Sequence, residues 1–282
     1  MSLIVEPTDA VCGAHVTGID LREDLSEAQI AELRAHWLEH KVLAFPNQKL
    51  SDADLERLTL YFGGFGKDPF FGSVEGSDHI AAIQRNADEK TSIFAEVFHS
   101  DWSFLDIPPA GTMLYGLKIP PVGGNTLFAD QVEAYKRLPD NLREQADGLT
   151  AIHSARLGYS KQGAYGDADQ DSGRSMKIVP SDKALEENEH PFVRTHPETG
   201  EKALYSSAAY IMGFKDKTPE DSQRLLMEFY RAQTDEAIVY SHKWEKDMLV
   251  MWDNRSTLHA ATGGYDGYDR LLHRTTIADT RF

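Results

Sequence analysis

The sequence predicts a mainly β fold, a β-sandwich or jelly roll with helical decorations, rather than a doubly wound α/β sheet. Three observations carry this reading. Short apolar runs bounded by turn residues outnumber amphipathic stretches. The helix signals cluster early and late instead of alternating with strands. The chain has 282 residues, 41% hydrophobic and 26% charged, enough to bury a core without staples. Its one cysteine, Cys12, excludes internal disulfides and Cys-rich metal sites and reads as structural.

The elements follow in chain order. Ser26-Glu27-Ala28-Gln29 has the spacing of a capping box, and Ile30, Leu33 and Trp37 share one face of the helix it opens. Val42-Leu43-Ala44-Phe45 reads as a short buried strand. Ser51 caps a second helix carrying Leu55, Leu58, Leu60 and Tyr61. Strands at 113–117 and 126–129 flank the turn Pro121-Val122-Gly123-Gly124. Residues 158–174 are polar and Gly-rich, a long loop of the kind that serves as a lid. A third helix spans about Pro219 to Thr234, and Met248-Leu249-Val250-Met251-Trp252 is a strand ending at the turn Asp253-Asn254. Arg270 to Ile277 alternates as a half-buried strand does.

Charge and missing motifs narrow the function. With 29 Lys plus Arg against 45 Asp plus Glu, the formal net charge is −16, a field that repels phosphate backbones and argues against nucleic acid. No apolar run reaches membrane length, the N-terminal MSLIVEPTDA carries no secretory signal pattern, and the lone cysteine suits a reducing compartment. A cytoplasmic protein without membrane contact is expected. There is no Walker A motif and no G-x-S-x-G, and Gly64-Phe65-Gly66 lacks the third glycine of a dinucleotide fingerprint because Pro69 takes its place.

His99-Ser100-Asp101 is an H-x-D, and alone it is weak, since a turn with an incidental histidine gives the same letters. Its company strengthens it. His259 follows a hydrophobic strand far downstream, and Arg270 and Arg274 come next. Two histidines and one carboxylate on one face of a metal leave three positions open, the facial triad suited to non-haem Fe(II) oxygenases. Arg270 and Arg274 differ by an even number, so on a strand they share a face; one guanidinium can grip the far end of a dicarboxylate. The second needs its own anion, either a substrate group or an internal Asp or Glu. His196-Pro197-Glu198-Thr199-Gly200 reads as a tight turn, His273 as a satisfied structural histidine, and His15, His36, His40, His79, His190 and His242 carry no constellation.

The segments FHSDWSFLDIPPAGTMLYGLKIPPVGGNTLFAD and WDNRSTLHAATGGYDGYDRLLHRTTI closely resemble the TauD/TfdA family of Fe(II)- and 2-oxoglutarate-dependent dioxygenases, along nearly the whole chain. The resemblance implies one domain over residues 1–282 built on a double-stranded β-helix (jelly roll), with His99, Asp101 and His259 as iron ligands. It implies Arg270, helped by Thr126, on the distal carboxylate of 2-oxoglutarate, and Arg274 where taurine dioxygenases bind the substrate sulfonate. It further implies O2 as cosubstrate, succinate and CO2 as products, and a homo-oligomer. The alternative for Thr126 is an ordinary strand threonine, and Trp252, Phe98 and Phe104 read as packing.

The expected reaction is hydroxylation of a small anionic organic molecule: a sulfonate, sulfate ester or carboxylate. Asp101 keeps the carboxylate that related halogenases lack, which argues against halogenation. The alternatives are desaturation or oxidative decarboxylation at the same centre, or a non-catalytic jelly-roll binding protein. The segment FGGFGKDPFFGSVEG has no histidine where taurine dioxygenases put one on the sulfonate, and Trp102 replaces a smaller residue. Phe70, Phe71 and Trp102 are candidate walls for a substrate more apolar than taurine.

Overall fold

The run Val42–Phe45 is buried throughout because it is an inner strand of a large sheet. The computed structural model describes residues 3–280. In it this sheet has seven strands in the order Ile4–Pro7, Ala14–Thr17, Val42–Phe45, Leu249–Asp253, Gly111–Lys118, Arg270–Ile277 and Ala81–Arg85. Every pairing is antiparallel except that of Ala14–Thr17 with Val42–Phe45.

Alternation sends successive side chains to opposite faces, and each face has its own cover. On one face Leu43, Phe45, Met113, Tyr115, Leu249, Met251 and Ile277 pack against Leu33, Trp37, Leu55, Leu58 and Phe62 of the two N-terminal helices. Those helices span Glu27–His40 and Asp52–Phe62, and both begin with a complete capping box, on Ser26 with Gln29 and on Ser51 with Asp54. Leu60 departs from expectation. It is exposed, because the buried face of its helix runs through Leu55, Leu58, Thr59 and Phe62.

On the opposite face Val42, Ala44, Leu114, Val250, Trp252 and Leu272 meet Phe128 and Tyr240. The last two belong to a three-stranded antiparallel sheet in the order Val239–His242, Thr126–Asp130, Thr257–Ala261. The molecule is mostly β-sheet with some helices, and the two sheets face one another across an apolar layer. Beyond them, helix Pro219–Gln233 packs Leu225, Leu226 and Phe229 on the strands Thr150–His153 and Ile211–Phe214 and on Phe192. Cys12 is buried in the inter-sheet layer, and burial pushes its thiol up to about 12, which makes it inert.

The expected loop at 158–174 contains structure of its own. A single helical turn, Arg156–Tyr159, leads into it and another, Asp167–Gln170, lies inside it. No helix among the described residues is long and apolar enough to cross a membrane.

Candidate active site

His99 and His259 are neighbours because their backbones are paired. The His99 N–H donates to the His259 carbonyl at 3.0 Å and the His259 N–H to the His99 carbonyl at 2.8 Å. Directly opposite residues project to the same side, so the two rings lie 4.2 Å apart between centroids. Asp101, two residues beyond His99, brings Oδ1 to 3.8 Å from Nε2 of each imidazole. One ligand atom from each of the three residues lies within 4.8 Å of the others, and all three residues are buried.

The surroundings prepare these atoms for a cation. Nδ1 of His99 lies 2.8 Å from the Val97 carbonyl, so a proton there leaves Nε2 as a lone pair facing Asp101. Burial lowers the pKa of both histidines, that of His259 to about 3, with the His99 ring adding to the disfavour of charge on His259. Neutral imidazoles are the form that ligates. Burial also opposes ionisation of Asp101, but Arg274, the two histidines and a hydrogen bond outweigh it and hold the carboxyl down to about 2.

That hydrogen bond begins a chain. Thr112 Oγ1 donates to Asp101 Oδ2 at 2.6 Å, Asn254 Nδ2 donates to Thr112 at 2.9 Å, and Trp252 Nε1 donates to Asn254 Oδ1 at 2.9 Å. The Asn254 carbonyl accepts from Ser100 at 2.7 Å. In the sequence Asp253-Asn254 reads as a turn, and Thr112 carries no signal of its own. Nothing in the linear order of residues marks them as supports of Asp101.

Arg270 and Arg274 do share the inward face of their strand, with Leu272 between them in the inter-sheet layer. Their situations differ. Arg274 has Asp101 Oδ1 at 3.0 Å and Asp68 Oδ1 at 3.5 Å, and its guanidinium lies 5.1 Å from the ring centres of both Phe71 and Trp102. Burial disfavours its charge, yet the two carboxylates outweigh this and raise its pKa. The anion that Arg274 requires is therefore met internally, by Asp68 and Asp101. Asp68 comes from the very segment that lacks the expected histidine, and it also accepts the Trp102 Nε1 hydrogen bond at 2.5 Å.

Arg270 is as deeply buried but has no ion-pair partner among the described residues. Its Nε has no hydrogen-bond acceptor, and Nη2 reaches only the Gly124 carbonyl at a long 3.4 Å. Trp244 and Tyr265 flank it at 5.9 Å each, and burial lowers its pKa with only the Tyr265 hydroxyl opposing. Trp244 is held by its Nε1 hydrogen bond to Thr126 Oγ1 at 2.9 Å, so Thr126 supports the wall around Arg270. The double glycine upstream permits this wall. Gly123 has φ 64°, and a Cβ there would meet the Gly264 carbonyl oxygen at 2.5 Å.

One cavity joins His99, Asp101, His259, Thr126, Arg270, Arg274, Phe71 and Trp102. Phe70 is not part of its lining: it lies one layer behind, stacked on Tyr159 at 4.8 Å in an aromatic cluster with Trp102 and Phe104. Trp102 has φ 48°, a left-handed backbone unusual for a bulky residue, immediately after Asp101. Trp252 and Phe104 are buried in apolar clusters and Phe98 is half-buried. His273 lies 2.6 Å from Asp52, and His196 accepts from the backbone of Glu198 and Thr199 within its turn while bonding Asp253 at 3.0 Å.

The family model described as "Taurine catabolism dioxygenase TauD, TfdA family" matches residues 5–276. The chain belongs to the TauD/TfdA family. Among relatives in this family, an alkylsulfatase of Acinetobacter baylyi is 34% identical over 269 residues, covering 94% of this chain and 82% of that protein. An alpha-ketoglutarate-dependent sulfate ester dioxygenase of Pseudomonas putida is 30% identical over 280 residues, covering 99% and 90%. A taurine dioxygenase structure from Burkholderia xenovorans superposes with a TM-score of 0.80 at 30% identity, covering 99% of this chain and 90% of that one. As a TauD/TfdA member the chain is a 2-oxoglutarate-dependent dioxygenase acting with O2 on a small molecule.

Proposed function

We propose that His99, Asp101 and His259 hold Fe(II), that Arg270 binds the distal carboxylate of 2-oxoglutarate with Thr126 bracing the wall beside it, and that the chain hydroxylates a small anionic organic substrate. The observation that carries this is Arg270: a buried guanidinium without an anion among the described residues, in the same cavity as two imidazoles whose pKa burial lowers and a carboxyl whose pKa is held down. The donor set fits a divalent iron, since three protein ligands leave positions for 2-oxoglutarate and O2. Bound there, the iron supplies the oxygen activation that couples loss of CO2 from 2-oxoglutarate, leaving succinate, to hydroxylation of a substrate C–H bond.

The chain's own residues hold and enclose the reactants. The relay from Trp252 through Asn254 and Thr112 fixes the Asp101 carboxylate, and the Val97 carbonyl fixes the tautomer of His99. Around Arg274 two carboxylates face one guanidinium in the free chain. A divalent cation on Asp101 turns that neighbourhood from net negative to net positive, which favours an anionic substrate group beside Arg274.

The central cavity is about 70 Å³, too small for a cosubstrate and an organic body together. A second cavity of about 310 Å³ adjoins it, shares His99, Phe94, Tyr159 and Tyr210 with it, and is lined further by Ile93, Val97, Leu157 and Tyr165. This supports an anionic substrate with an apolar or aromatic body and residues 158–174 as a cover that opens to admit it. Sulfate esters and sulfonates, named in relatives, are the first candidates. The facing sheets read as a double-stranded β-helix in one domain across residues 1–282, and the single buried cysteine suits a cytoplasmic protein.

The test is anaerobic Fe(II) loading followed by 2-oxoglutarate and O2, with sulfonates, sulfate esters, aryloxyacids and taurine as substrates. Succinate release should rise with an apolar anion well above its level without substrate, taurine should be poor, and His99→Ala, Asp101→Ala and His259→Ala should abolish turnover. Full activity of a folded His259→Ala chain overturns the ligand assignment. Efficient taurine turnover overturns the substrate reading.

A further inference from the structure

A second group of metal-type ligands lies on the outer helical layer, where sequence reading saw no constellation. His36 and His40 are four residues apart in the last turns of helix Glu27–His40, and Glu39 sits between them in sequence. Residues three and four apart on a helix are surface neighbours, so His36 faces both Glu39 and His40. Glu39 Oε2 lies 3.6 Å from His36 Nδ1 and 3.8 Å from His40 Nε2, and one ligand atom from each residue lies within 4.8 Å of the others. The imidazoles are parallel within 12° at 5.8 Å between centroids. A tetrahedral ion about 2.1 Å from each ligand spaces its ligands roughly 3.4 Å apart, so small side-chain rotations suffice.

Three further observations point to a cation. His36 Nδ1 is shielded from solvent and has no hydrogen-bond partner. Among the described residues Glu39 pairs with no Lys or Arg, and the adjacent Lys41 turns away to Asp130 at 3.1 Å. The cluster also stands at a helix C-terminus, the negative end of the macrodipole, in a chain of net charge −16. Glu39 is 67% exposed at its side chain, so an ion has access from solvent.

We propose that His36, Glu39 and His40 form a surface site for a late first-row divalent cation, Zn²⁺, Ni²⁺ or Cu²⁺, separate from the buried His99, Asp101 and His259 group. Two imidazoles and one carboxylate select these ions over Mg²⁺ and Ca²⁺, which take oxygen ligands. Fe²⁺ stands lower in the affinity order and competes weakly here. The bound ion ties the last turn of the helix, which carries Trp37 into the core, and so stabilises the N-terminal layer by mass action.

The experiment is equilibrium dialysis of the chelator-stripped chain against Zn²⁺. His36→Asn/His40→Asn should bind one equivalent fewer than the unmodified chain, with an unchanged circular dichroism spectrum. Glu39→Gln should keep the stoichiometry and weaken this site several-fold, and millimolar Mg²⁺ should not compete. On the unmodified chain, Zn²⁺ should shield His36 and His40 from diethyl pyrocarbonate, read by peptide mass, which covers the case of a double variant that folds poorly. Equal Zn²⁺ equivalents in both chains, or modification of His36 and His40 unaffected by Zn²⁺, overturns the site. Unchanged affinity in Glu39→Gln overturns the three-ligand assignment.

Discussion

Arg270 and Arg274 stand four residues apart on one strand and burial disfavours the charge of both, yet their pKa values shift in opposite directions because only Arg274 has carboxylates beside it. This sets an unusual expectation for Arg270→Met. Removing a buried, unpaired charge should stabilise the ligand-free chain by about 1–3 kcal/mol, seen as a higher urea midpoint. The same change should abolish the stabilisation that 2-oxoglutarate confers and raise its required concentration by at least about 30-fold, the equivalent of roughly 2 kcal/mol. A variant that is destabilised, or one that keeps its 2-oxoglutarate dependence, removes Arg270 from this role. A second expectation concerns Thr112→Val. It leaves Asp101 Oδ2 without its donor and Asn254 Nδ2 without its acceptor. Iron affinity should fall about 10- to 100-fold, measured by competition with a coloured chelator, while the fold persists.

Among the elements, the segment proposed above as a cover is held by identifiable ties. Glu89 accepts from the Ser175 amide at 2.9 Å, from Ser175 Oγ at 2.6 Å and from Arg85 at 3.3 Å. Arg174 pairs with Asp169 at 2.6 Å and reaches the Ser92 carbonyl at 3.3 Å, while Tyr165 Oη accepts from the Ala95 amide at 3.3 Å. Loop 86–96 and segment 158–175 are thus tied together, and residues of both line the cavities. Glu89→Ala should raise amide hydrogen exchange across 158–175 about tenfold or more, with the strands Gly111–Lys118 and Leu249–Asp253 unchanged. In the unmodified chain, adding cosubstrate and substrate should slow exchange in the same segment. Equal, high protection with and without ligands would show a fixed wall instead of a cover.

At the scale of the whole molecule, acid acts through two sets of buried groups. Burial keeps His153 well below the usual histidine range, and lowers His242 to about 3. The unfolded chain protonates such histidines at about pH 6.5, so stability is full above that value and declines as pH falls below it, by up to about 1.4 kcal/mol per unit for each histidine. Asp253 and Glu198 are shifted the other way in physical origin. Burial opposes their charge, but Arg255 and His196 on Asp253, and Arg34 and Arg255 on Glu198, outweigh it and depress both carboxyls. Their contribution is present above the ordinary carboxylate pKa of about 4 and is lost as pH falls through the depressed values. Urea midpoints should therefore be flat from pH 8 to 7, slope downward from about 6.5, and steepen below about 4. A midpoint constant down to pH 5 would contradict the buried neutral histidines.

The local code carried much of this by itself. Capping boxes, alternation and turn glycines are read over a few residues, and Glu27–His40, Asp52–Phe62, Pro219–Gln233 and the strand Arg270–Ile277 are where those short-range rules put them. Strand parity likewise determined that Arg270 and Arg274 face inward together. Tertiary structure decided what parity does not contain: which charges end up opposite one another. Asp68 and Asp101 reach Arg274 from separate segments, Asn254 reaches Asp101 through Thr112 from a different strand end, and Arg270 is left between two aromatic rings and one backbone carbonyl, with no carboxylate beside it among the described residues. Phe70 was displaced from the cavity wall by the packing of Tyr159, a residue far from it in sequence. The converse holds for His36, Glu39 and His40: their spacing is local, but that Glu39 has no Lys or Arg beside it among the described residues is a property of the folded surface. Local periodicity follows from backbone geometry, whereas charge pairing depends on distances that exist only once the sheets are packed.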